Sequence, residues 1–196
     1  MRALLLIDIQ PDFMPGGALP VAGGHEILPL LETLQAAADL VVATQDWHPA
    51  AHQSFASQHP GRQPFDHISL HGLPQTLWPD HCVQSTAGAA LHPALPQHRI
   101  EAIFRKGMSP EIDSYSGFFD NGHRKSTGLA DYLRGRGVQQ VHLAGLAADY
   151  CVYYSALDAL REGFRAVVHE AATRAISADG YARARHDLLA RGAEGH

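Results

Sequence analysis

Four short apolar runs, 3–7, 40–44, 100–104 and 141–144, carry few charges and have the length of strands buried on both faces of a sheet. A fifth is expected at 164–168. Between them lie helical patterns: Ile27 to Ala38 with Leu28, Leu30, Leu31 and Leu34, then Gly128 to Arg136, Asp149 to Gly163 and Ala182 to Arg191. Strands that alternate with helices build βαβ units. The chain therefore reads as α/β, a three-layer sandwich with a mainly parallel central sheet flanked by helices. At 196 residues it has the length of a single domain, 1–196, with enough core to need no staple. One segment breaks the rhythm. From Pro49 to His98 the chain is rich in Pro, His, Gln, Ser and Gly and poor in periodicity, and a loop region this long inside a compact domain points to function.

Composition removes several classes. An apolar fraction of 45%, 18% charged residues and a net charge of −5 leave no basic face for nucleic acid or an anionic membrane. The first apolar run is too short for a signal core or a spanning helix, and it reads as the first strand. Two cysteines, Cys82 and Cys151, are no disulfide framework, so a reducing, cytoplasmic setting is expected.

The chemistry-bearing residues collect at strand ends. Asp46 and His48 lie just past the run 40–44, and with His81 of Trp78-Pro79-Asp80-His81-Cys82 they form one carboxylate and two imidazoles. That set suits a divalent ion, Zn²⁺ first, with Fe²⁺ and Mn²⁺ as the other options. His52 and Ser54, close behind, are candidates for a further ligand or for holding a water. Asp8 closes the first run, Lys106 the third, and Cys151 follows the fourth, where Asp149 can cap the next helix and place the thiol in its first turn. Free N–H groups and the helix dipole there favour thiolate and can bind an oxyanion. A parallel sheet gathers these ends on one rim, so base, cation, thiol and metal site converge for nucleophilic catalysis. Cys82, with no such turn behind it, reads as a buried inert thiol.

In its ordered motifs the chain resembles the isochorismatase-like cysteine hydrolases, in particular their nicotinamidase branch. The motifs are Leu6-Ile7-Asp8-Ile9-Gln10-Pro11-Asp12-Phe13, Gln45-Asp46-Trp47-His48-Pro49, Leu77-Trp78-Pro79-Asp80-His81-Cys82, Lys106-Gly107, Asp113-Ser114-Tyr115-Ser116 and Gly145-Leu146-Ala147-Ala148-Asp149-Tyr150-Cys151. The resemblance runs to about residue 175. It implies the fold of that family, Cys151 as nucleophile, Asp8 as proton acceptor and donor, Lys106 as their support, and Asp46, His48 and His81 as metal ligands. It further implies an aromatic slot of Phe13, Trp78 and Tyr115 for a pyridine ring, a cis Leu146–Ala147 bond, and an oxyanion hole from the N–H groups of Ala147 and Cys151. The implied reaction is hydrolysis of nicotinamide to nicotinate and ammonia through a thioester, in NAD salvage, with pyrazinamide as a further substrate.

Two family positions differ: Pro11 stands where Asn is usual, and Ala148 where Thr is common. After Ser177 the usual helix and last strand are compressed into Ala182–Arg191, so a final strand is expected to be missing or truncated. The other readings are an amidohydrolase acting on another aromatic carboxamide, a silent metal- or ligand-binding homologue, and a hydrolase in which metal-bound water attacks directly. The flanking helices leave surfaces on which a homo-oligomer can form, without specifying one.

Overall fold

The computed structural model describes residues 1–196. Eight strands run in chain order as β1 (Arg2–Ile7), β2 (Leu40–Asp46), β3 (His67–Leu70), β4 (Leu73–Thr76), β5 (Ile100–Lys106), β6 (Gln140–Leu146), β7 (Arg165–Arg174) and β8 (Glu194–Gly195). The four α-helices are α1 (Leu28–Ala37), α2 (Leu129–Gly135), α3 (Cys151–Arg161) and α4 (Ala178–Ala190). Six strands pair in the order β5-β2-β1-β6-β7-β8, parallel throughout. β3 and β4 form a separate antiparallel hairpin.

Alternation along β1 explains the layers. Leu5 and Ile7 face one core with Val42, Leu143, Leu129, Leu133, Val152 and Ala156, which brings in α2 and α3. Leu4 and Leu6 face the other with Val41, Ala43, Ile27, Leu31, Trp78 and Leu95, which brings in the approach to α1 and the long connecting segment. Each fully buried Leu contributes roughly 1.5–3 kcal/mol of transfer free energy, so the central strand is held from both sides. Where β6 passes β1, Gly145 has φ +135°, and a Cβ there would overlap Ile7 backbone. No helix is long and apolar enough to cross a membrane.

Four sequence expectations change, and a fifth, a last strand missing or truncated, resolves to the second option. The run 100–104 is not buried on both faces: β5 is the sheet's edge, Ile103 is exposed, and burial is partial at alternate residues. The long segment holds the β3–β4 hairpin, turned by His71 and Gly72, both at positive φ. Such a two-residue turn ending in Gly is a hairpin signal that composition masked. α3 starts at Cys151, not Asp149, and Asp149 does not cap it; its carboxylate accepts from the N–H groups of Ile176 (3.0 Å) and Ser177 (2.9 Å), tying the α3 entrance to the α4 entrance. α4 starts at Ala178 because Ser177 caps it, its hydroxyl accepting from Gly180 N–H at 3.2 Å. The final strand is present but truncated to the two residues of β8.

Candidate active site

The carboxyl rim of the sheet brings Asp8, Asp46, Lys106 and Cys151 together, and all four side chains are buried. Register does this: β1, β2, β5 and β6 end side by side, with Asp46 paired to Lys106 across β2–β5. Asp8 leaves β1 at φ +48°, a left-handed turn that Asp tolerates. Its carboxylate accepts from Thr44 Oγ1 at 2.6 Å, while Thr44 Oγ1 accepts from Asp8 N–H at 3.1 Å.

Lys106 Nζ is the hub. It donates to Asp46 Oδ1 (3.0 Å), Ser114 O (3.0 Å) and Cys151 Sγ (3.5 Å), which uses its three protons. Asp8 Oδ2 lies 2.9 Å from the same nitrogen as an ion pair, yet no donor is aligned on it. A buried carboxylate oxygen with a free lone pair beside a thiol is placed to take a proton.

Electrostatics modify one expectation. Burial pushes the Cys151 thiol well above its usual range; Lys106 opposes this, but Asp8 and Asp46 reinforce it. Burial at the site therefore works against the thiolate that the helix position favours. Burial also raises the Asp8 carboxyl, although Lys106 pulls the other way. Burial pulls the Lys106 ammonium down, but Asp46 and Asp8 outweigh it and keep the amine charged. A thiol and a base of raised basicity around one fixed cation suit proton transfer at the moment of attack.

Asp46, His48 and His81 are buried, and their ligand atoms lie within 4.8 Å of one another. His48 Nδ1 faces Gly107 O at 2.9 Å and His81 Nδ1 faces Pro79 O at 2.8 Å. A carbonyl only accepts, so each Nδ1 carries a proton and each Nε2 is the atom turned to Asp46. Those two Nε2 atoms lie 2.9 Å and 3.4 Å from Asp46 Oδ2, while Lys106 occupies Asp46 Oδ1. This is the donor set, and the outer support, of a divalent metal ion. Burial pushes the Asp46 carboxyl up, but His48 and Lys106 bring it well below its usual range, so negative charge is fixed at the shared point. Gly107 supports His48 twice, through its carbonyl and by lacking a side chain: it sits at φ +66°, and a Cβ there would overlap the His48 ring.

Between metal niche and thiol lies a cavity of about 20 Å³ lined by Phe13, Trp78 and Tyr115, together with Asp46, His81, Ala147 and Cys151. Leu19, Asp113, Tyr150 and Ile176 complete it and were not assigned there from sequence. Tyr150 was legible as an aromatic next to the nucleophile; its ring stands edge-on to Trp78 at 4.9 Å and to Tyr115 at 5.3 Å. The Leu146–Ala147 bond is cis. The N–H groups of Ala147 and Cys151 donate to no backbone or side-chain acceptor, whereas Ala148 N–H donates to Arg174 O. His52 and Ser54 bond each other, Nδ1 to Oγ at 2.7 Å, and His52 forms a second buried group with His48 and Asp113. Cys82 is buried, and burial raises its thiol well above the usual range, as an inert cysteine requires.

The model of the isochorismatase domain matches residues 2–194. The chain belongs to the isochorismatase family. Within this family, it is 52% identical over 168 residues to the nicotinamidase of Escherichia coli K12, covering 84% of this chain and 78% of that protein. A solved nicotinamidase/pyrazinamidase from Acinetobacter baumannii superposes with a TM-score of 0.96 at 42% identity, over 99% of this chain and 94% of the other. The pyrazinamidase of Pyrococcus horikoshii, solved in complex with zinc, gives 0.81 at 37% identity over 100% and 98%.

Proposed function

We infer that this isochorismatase-family enzyme is a nicotinamidase, hydrolysing nicotinamide to nicotinate and ammonia within one catalytic domain, 1–196, and so serving NAD salvage. The observation that carries the reading is the meeting of thiol, ammonium and carboxylate at Lys106 Nζ, beside an aromatic slot that ends at Asp46 and His81. The activity named for the relatives supports the substrate.

In this reading Phe13, Trp78 and Tyr115 hold the ring, and the carboxamide carbon rests against Cys151 Sγ. Asp8 takes the thiol proton as sulfur attacks, and the carbonyl oxygen becomes an oxyanion that accepts from Ala147 and Cys151 N–H. Lys106 holds its charge between Asp8 and the sulfur throughout. The C–N bond then breaks as Asp8 returns its proton to the leaving nitrogen, giving ammonia and a thioester. A water gives its proton to Asp8 and attacks that thioester; the C–S bond breaks, nicotinate leaves, and Asp8 reprotonates the thiol. Losing one oxyanion donor should lower the rate about 10²–10³-fold.

A divalent ion held by Asp46, His48 and His81 would supply a Lewis acid that anchors the ring end of the substrate; the N,N,O donor set, and the zinc in the Pyrococcus relative, favour zinc. The pyrazinamidase activity named for relatives extends the reading to pyrazinamide. Two free cysteines suit the reducing cytoplasm.

The test is ammonia release from nicotinamide by the wild type and by Cys151→Ala, with metal content measured in both. Activity only in the former, with equal metal, is expected. Activity surviving in Cys151→Ala would shift the reading to direct attack by water, and an inactive, metal-loaded wild type would remove nicotinamide as substrate.

A further inference from the structure

The hairpin β3–β4 sends one buried polar side chain towards the site. Gln75, on β4 and 4% exposed, holds Nε2 within hydrogen-bond reach of Asp113 Oδ2 (3.0 Å), Tyr115 OH (3.1 Å) and Thr76 O (2.7 Å), three acceptors that share its two protons. Asp113 is fixed at its other oxygen by Ser114 N–H at 2.8 Å and is grouped with His48 and His52. Tyr115 N–H donates to Asn121 Oδ1 at 3.0 Å, and its ring packs against Trp78, Tyr150 and Tyr154. Ring packing alone leaves an aromatic side chain free to tilt, because edge contacts are weakly directional. A hydrogen bond at the phenol tip removes that freedom.

We propose that Gln75 is a positioning residue for substrate capture: it pins the hydroxyl of Tyr115 to Asp113, and so fixes the aromatic wall against the metal side of the pocket. The inference rests on the nicotinamidase reading for its ligand. Tyr115 lines the same cavity as Phe13, Trp78, His81 and Cys151, so a tilt of its ring moves one wall of the space a pyridine ring must fill. Gln75 touches neither the thiol nor the three metal ligands, so its loss should act on binding and leave the chemical step.

The test uses metal-loaded wild type, Gln75→Leu, Tyr115→Phe and the double variant. Nicotinate affinity is measured by calorimetry, kcat and KM with nicotinamide, and metal by elemental analysis. Each single variant should weaken nicotinate and raise KM about 3- to 10-fold, the worth of one hydrogen bond, with kcat within about 2-fold and metal unchanged. The double variant should be no worse than the poorer single, because both remove the same bond. Unchanged affinity in the singles, multiplied effects in the double, or metal loss in Gln75→Leu would each overturn the proposal. If Gln75→Leu does not fold, Tyr115→Phe decides alone, and unchanged affinity there overturns it. A wild type that binds nicotinate without hydrolysing nicotinamide would fail the function and leave the positioning role to be judged by calorimetry.

Discussion

Two histidine pairs in this molecule behave in opposite ways. At the carboxyl rim, each of His48 and His81 presents Nδ1 to a backbone carbonyl and Nε2 to Asp46. Across β6 and β7, His142 and His169 instead face each other, Nδ1 to Nε2 at 2.9 Å, and His142 Nε2 is buried without a partner. Burial lowers His48, but Asp46 lifts it above its ordinary range. Burial depresses His169 to about 4, with His142 and His196 adding to the effect. The number of imidazoles is thus a poor guide to a cation site. What decides is whether an acceptor fixes each Nδ1 proton and a carboxylate waits at the Nε2 side.

The largest effect expected is at the rim: Cys151→Ala should lower turnover by about 10⁴-fold or more with metal retained, as judged by steady-state rates and elemental analysis. Next, Lys106→Met leaves the buried Asp8 and Asp46 carboxylates without their cation. Denaturant unfolding should read a loss of about 3–5 kcal/mol, and an unchanged midpoint would contradict the hub role. The comparison is tested most directly by His81→Ala against His169→Ala. Chelator competition should find zinc held at least about 100-fold less tightly in the first and unaltered in the second. Equal loss in both would erase the distinction.

The smallest effect concerns acid. A histidine with a depressed native pKa binds its proton more readily when unfolded, so stability rises with pH through that window. Melting temperature should therefore fall as pH drops from about 6.5 towards about 4, the native value for His169. His169→Gln should flatten part of that slope, and an identical slope would place the acid sensitivity elsewhere.

Much of this was legible because the sheet is parallel. Uncharged runs marked β1, β2 and β6, and Asp8, Asp46, Lys106 and Cys151 were readable as strand-end residues before any packing was known. β5 misled because an apolar run does not say whether a neighbour covers it; here nothing pairs beyond the edge. Gln75 and Thr44 were invisible for another reason. Neither belongs to a chemical motif, and their roles exist only through partners 36 to 40 residues away, Thr44 with Asp8 and Gln75 with Asp113 and Tyr115. The surroundings of the Cys151 thiol were beyond sequence too, since helix position argued for thiolate while burial works against it.

Gly107 gives the molecule an unusual vulnerability. Alanine there would meet the His48 ring in a loop outside the sheet, so the encoded protein should still fold, accumulate and carry every chemical group of the site while failing to hold its ion. An inventory of catalytic side chains would score such an allele as intact. Loss of function in a natural lineage can therefore hide at a residue that has no functional group to lose.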